Sequence, residues 1–178
     1  MSPRLPLELW ITIFEFVGDW KLATAFGLRT NLRPPIEWVL HGSPLDRAIL
    51  TGSIPYVAQV LHDTPTAKLG NLGAKVMIRW GYIGLLQHLW THRRSEVHSV
   101  FSASPSFQLP VLASRYGKVK VLAWWLQNCF EELQGPEGLD AAVRQAFYEA
   151  SFNGHMPVLM WWRESGLPLE SFLEERGG

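Results

Sequence analysis

The sequence holds a single cysteine, Cys129. That excludes an internal disulfide and points to a reducing compartment, cytoplasm or nucleus. An excess of either charge is also missing, since sixteen basic and sixteen acidic residues give a formal net charge of zero. Nucleic acids and acidic membrane surfaces select basic proteins, so neither is expected as the main partner. Long uncharged runs are absent too. The longest, residues 97–114, carries Pro105, Pro110 and five serines, which excludes a membrane-spanning helix there. Glu8 and Glu15 interrupt the apolar run near the N-terminus, so no secretory signal is expected. Charged residues make up only 18% against 47% hydrophobic, which is enough apolar material for a core and excludes disorder. Nine tryptophans need burial or a partner.

What is present is a pattern stated four times. A residue, usually small, precedes a glycine by four positions: Ala48 and Gly52, Met77 and Gly81, Ala113 and Gly117, Ala150 and Gly154. Apolar residues follow each glycine at +2, +5 and +8: Ile54, Val57, Val60; Ile83, Leu86, Leu89; Val119, Leu122, Trp125; Met156, Leu159, Trp162. This spacing predicts a helix, a reversal at the glycine, and a second helix with an apolar stripe. Met77 breaks the small-residue rule, so looser or adjusted packing is expected there.

The N-terminal stretch predicts a helical pair. Pro6 suits a first helical turn and Gly18 ends the first helix. Asp19 caps a second, which Gly27 ends. The first is apolar nearly all round: Leu9, Ile13 and Phe16 share one face, and Trp10, Phe14 and Val17 an adjoining one. Such a helix is expected to be covered on more than one side. Pro34-Pro35 marks a boundary, after which residues 36–41 can make a turn or two of helix.

Two stretches carry a family resemblance. Leu5-Pro6-x-Glu8-Leu9-x-x-x-Ile13-x-x-Phe16-Val17-x-Asp19-Trp20-x-Leu22-Ala23 resembles the first half of an F-box, a small helical module that docks on the Skp adaptor of cullin-type ubiquitin ligases. The resemblance implies adaptor contacts at Leu5, Pro6, Leu9, Ile13 and Phe16. The family's third helix is replaced by Arg29-Thr30-Asn31-Leu32-Arg33-Pro34-Pro35, and the open alternative is an N-terminal cap over the first repeat. Ser43-Pro44-Leu45-Asp46-Arg47-Ala48 resembles the Thr-Pro-Leu-His-x-Ala stretch of an ankyrin repeat. The turn glycines recur at intervals of 29, 36 and 37 residues, bracketing the ankyrin period of about 33.

The expected fold is therefore all-α: a short α-solenoid of ankyrin-like helix-turn-helix repeats behind an N-terminal helical pair. Residues 1–35 form the F-box-like segment or cap. Residues 36–178 form about four degenerate repeats with a C-terminal cap, for which Ser171 to Arg176 give a short charged helix. Residues 63–72, 91–108 and 127–139 read as connecting loops, with a turn at Gly135-Pro136-Glu137-Gly138 and Asp140 as a helix cap.

Chemistry is sparse. His88 and His92 share a helix face, but no third ligand is near and Arg93-Arg94 repels a cation. Gly70-Asn71-Leu72-Gly73-Ala74-Lys75 suggests a phosphate loop without its full spacing. Cys129 sits beside Glu131 and Glu132, which disfavour a thiolate. His155 fits a turn-bonding role. No catalytic residue, cofactor or metal is expected, and the chain reads as a protein-binding module, a monomer by itself. It is either the substrate-recruiting subunit of a ubiquitin ligase or a plain ankyrin-like scaffold. Trp124 and Trp161, at +7 after their glycines, are expected to pair in a partly exposed column with Gln59 and His88, as a partner-binding feature or a seam cover.

Overall fold

The computed structural model describes residues 5–130 and 138–167. Among these, twelve α-helices and one 3-10 turn account for the regular structure, and no strand occurs. The chain divides into two compact units, Met1–Met77 and Ile78–Gly178.

In the first unit, α1 (Leu7–Val17) ends at Gly18, whose φ of 73° is left-handed. Pro6 is not in its first turn. It stands one position earlier as the N-cap, with ψ of 149°, and its carbonyl accepts the first helical hydrogen bonds from Leu9 and Trp10. Asp19 caps α2 (Trp20–Ala25) by accepting from the Leu22 amide at 3.0 Å. A helix resumes directly after Pro34-Pro35: Pro35 is the N-cap of α3 (Ile36–His41), whose Trp38 is buried against Trp20 at 5.6 Å.

Ser43 and Asp46 close a reciprocal capping box on α4 (Pro44–Leu50), with Pro44 at the first helical position. Gly52 reverses the chain into α5 (Ile54–Asp63), and residues 64–70 lead into α6 (Asn71–Trp80). Leu45, Ala48, Ile49, Leu50, Val57 and Ala74 make the core of this unit. Met77 is fully buried, so the larger side chain is accommodated rather than displaced.

The second unit holds α7 (Ile83–His92), α8 (Arg94–Phe101), a 3-10 turn (Pro105–Phe107), α9 (Leu109–Arg115), α10 (Val119–Asn128), α11 (Gly138–Phe152) and α12 (Met156–Glu164). Helix α9 packs on α11 and on α10, and α10 packs on both α7 and α12. Residues 91–108 are thus not a plain loop. Val97 and Phe101, four apart, are buried from one face of α8. Helix α11 starts at Gly138, which places Asp140 inside it rather than at its cap. The expected turn at residues 135–138 and the terminal helix at residues 171–176 lie outside the described residues, the α11 start excepted.

All four turn glycines have left-handed φ: 67° at Gly52, 70° at Gly81, 70° at Gly117 and 69° at Gly154. Two of these turns are completed by the expected small residues. The Lys118 amide donates to the Ala113 carbonyl and the His155 amide to the Ala150 carbonyl, both at 2.8 Å, which closes helix ends that would otherwise leave carbonyls unpaired. The stripe after each glycine needs one correction. Positions +5 and +8 are mostly buried (Val57, Leu86, Leu122, Leu89, Trp125, Trp162), and so are Leu85, Val121 and Val158 at +4. Position +2 is not core: Ile54 and Met156 are exposed. At 3.6 residues per turn, the buried arc runs from +4 through +8 to +5, and +2 lies about 60° beyond it.

Candidate protein-docking face

Helix α1 is apolar nearly all round, yet Phe14 alone is buried in it, packed between Trp10 and Phe26. Phe16, Leu9, Ile13, Val17 and Trp10 follow one another around the helix within about 120°, and all five are exposed. Phe16 is 94% exposed. The described residues cover this helix on one side, and the further cover expected of it is not supplied by them. One arc seats Phe14, and an adjoining one presents a continuous apolar stripe; Leu5 and Leu7 are exposed at the start of the helix.

The stripe stands on a fixed support. The Glu15 carboxylate accepts from the Asn31 amide at 2.8 Å, tying α1 to the segment after α2. Lys21 reaches Glu37 at 3.1 Å and lies 5.9 Å from the Trp38 ring, tying α2 to α3. Helix α3 also presents apolar residues outward: Ile36, Val39 and Leu40.

Of the residues expected to face an adaptor, Leu5, Pro6, Leu9, Ile13 and Phe16 are all exposed. Trp10, Val17, Ile36, Val39 and Leu40 are exposed as well. The sequence places Trp10 and Val17 on the apolar face adjoining Leu9, Ile13 and Phe16, but the resemblance does not assign them to the adaptor.

The paired column expected of Trp124 and Trp161 is not formed. Trp124 is 7% exposed, donates its indole N–H to Gln87 Oε1 at 2.7 Å, and packs edge-on against Trp90. Trp161 is half-buried with its ring against Trp162. Each indole meets a different tryptophan, Trp90 for Trp124 and Trp162 for Trp161.

The His88 and His92 rings lie 4.4 Å apart, and His92 Nδ1 is 2.8 Å from the His88 carbonyl. Burial, with the neighbouring His92 second, holds the His88 pKa below its usual value. Among the described residues no three metal-ligating side chains gather. Cys129 is buried, its thiol donating to the Trp125 carbonyl at 3.5 Å, while Glu131 and Glu132 lie outside the described residues. His155 Nε2 is 2.9 Å from the Arg115 carbonyl, so the turn-bonding role expected of it is present and reaches the preceding turn. Glu149, unnoticed in the sequence, is buried and takes a two-point ion pair from Arg115, Nε to Oε2 at 2.9 Å and Nη2 to Oε1 at 2.6 Å.

No helix among the described residues is long and apolar enough to cross a membrane. No family model, no curated protein and no solved structure matches the chain.

Proposed function

We propose that this chain is a protein-binding module that docks through the outward apolar stripe of α1. The observation that carries the reading is the exposure of Leu9, Trp10, Ile13, Phe16 and Val17 on a helix anchored by Phe14. Contiguous exposed apolar surface of this kind marks an interaction site. The F-box-like sequence of the same residues makes the Skp adaptor of a cullin-type ubiquitin ligase the proposed partner.

The helix pairs are proposed to stack as a short ankyrin-like solenoid that holds the substrate. Contacts that recur one repeat apart within the second unit support this. Trp125 meets Trp162 and Gln87 meets Trp124, each 37 residues on. Lys118 lies over Gly81, and His155 over Gly117. Trp161, half-buried, remains the aromatic proposed for partner contact on that part. The role is binding rather than catalysis.

A pull-down with purified Skp adaptor tests the docking. The unmutated chain is expected to bind, and Phe16→Asp to abolish binding without altering the melt. Absence of binding by the unmutated chain removes the ligase reading. It leaves the plain ankyrin-like scaffold as the remaining proposal.

A further inference from the structure

The glycine-rich stretch Gly70 to Lys75, which lacks the spacing of a phosphate loop, opens the ten-residue helix α6. A carboxylate is seated on that opening. Asp46 is fully buried. The Gly70 amide donates to its Oδ1 at 2.8 Å, the Ser43 amide to its Oδ2 at 3.2 Å, and the Gly73 amide also donates to it. Ser43 Oγ adds a second tie to the same segment by donating to the Lys68 carbonyl at 2.9 Å.

We infer that residues 70–73, together with the Ser43 amide, form a carboxylate-binding turn whose ligand is the chain's own Asp46. The donor set suits a small planar carboxyl group: convergent backbone N–H groups, two of them at the start of a helix, offset part of the cost that burial imposes on its charge. The glycines follow from the ligand. Neither has a left-handed φ, yet a Cβ on Gly70 or on Gly73 would run into the Asp46 carboxylate. The tethered ligand fastens the start of α4 to the start of α6, two segments 24 residues apart. It is independent of the docking stripe on α1 and concerns a different site.

Asp46→Gly removes the side chain and leaves room for formate, the smallest free carboxylate. The variant's melting temperature is expected to fall below that of the unmutated chain. Sodium formate is expected to raise it more than sodium chloride at equal ionic strength, and to slow hydrogen exchange at the Gly70 and Gly73 amides. The unmutated chain is expected to show neither response, its site being filled. Should Asp46→Gly be unfolded in buffer, the readout is a formate-dependent gain of helical circular dichroism. Formate acting no differently from chloride overturns the inference, as does an equal response in the unmutated chain. A second arm uses Gly70→Ala. It is expected to destabilise the unmutated chain clearly and to cost little more in the Asp46→Gly background, where the carboxylate is gone. An equal cost in both backgrounds also overturns it.

Discussion

The His155 imidazole lies on Gly117 so closely that a Cβ there would stand 2.8 Å from Nδ1. The same ring meets the Arg115 carbonyl through Nε2 at 2.9 Å. One glycine turn is thus packed under the residue that follows the next one. Gly117 is held for two reasons, its φ of 70° and the ring above it, whereas Gly154, with φ of 69°, has nothing within 4 Å of where a Cβ would be.

These two glycines therefore separate strain from crowding. Gly154→Ala is expected to cost about 1 kcal/mol, the penalty of left-handed backbone for an L-residue. Gly117→Ala adds the displacement of His155 and is expected to cost roughly 1–3 kcal/mol more, as overpacking does. Urea melts of both variants check the order. A cycle with His155→Ala isolates the crowding, because the extra cost of Gly117→Ala should shrink once the ring is gone. Equal losses at the two glycines would show that the ring yields freely.

Much of this turn architecture was legible. A glycine after a small residue, followed by a 3.6-residue apolar rhythm, states a reversal in chemistry that few other residues can meet. The sequence was silent where the answer lay in tertiary packing. Helix α8 hides among serines and a histidine, with only Val97 and Phe101 to mark its buried face. Helix α1 has apolar residues on nearly every side, so periodicity could not say which side faces in; Phe14 decides it by meeting Phe26. Asp46 enters the sequence reading only as part of the ankyrin-like stretch, and nothing local reveals that Gly70 and Gly73 close over it.

The two buried carboxylates should respond to acid in opposite directions. The Arg115 guanidinium, by its hydrogen bonds above all, holds the Glu149 pKa below its usual value. Its contribution to stability is present above the ordinary carboxylate range and is lost as pH falls through the lowered folded value. Burial raises the Asp46 pKa despite the amides that oppose it. Its contribution is greatest below the unfolded value and is lost as pH rises through the folded one. Glu149→Gln is expected to lower stability at neutral pH, since it leaves Arg115 without its anion. It should also flatten the acid limb of the stability curve, measured by urea melts from neutral pH downward. An acid limb as steep as in the unmutated chain would mean that other groups carry the loss.

Phe16 offers a clean separation of docking from folding. At 94% exposure it touches almost nothing. Phe16→Asp is therefore expected to change stability by no more than about 0.5 kcal/mol, as surface substitutions do. Binding of an apolar dye, or of a partner that uses the stripe, should fall sharply in the same variant. Leu9→Asp with Ile13→Asp makes the companion experiment. Both positions are partly covered, so their melt must be reported beside their binding. A large drop in the melting temperature of Phe16→Asp would place the ring in a packed position.

The tryptophans at +7 supply the last test. Trp124 is buried, its N–H satisfied by Gln87 at 2.7 Å and its ring edge-on to Trp90 at 6.3 Å between centroids. Trp161 is half-buried against Trp162 at 5.1 Å. Trp124→Gln takes most of a large apolar surface out of a packed site and is expected to cost about 3 kcal/mol or more, in the range of large-to-small core changes. Trp124→Phe keeps an aromatic ring, smaller than the indole, and loses the hydrogen bond. Gln87 is exposed, so water can replace that partner, and the expected cost falls to about 1 kcal/mol. Trp161→Gln should cost clearly less than Trp124→Gln. Thermal melts of the three single variants rank them directly. Equal tolerance of glutamine at both positions would restore the exposed column that the sequence suggested; the expected ranking assigns Trp124 to the core and leaves Trp161 the one indole of the two with surface to offer.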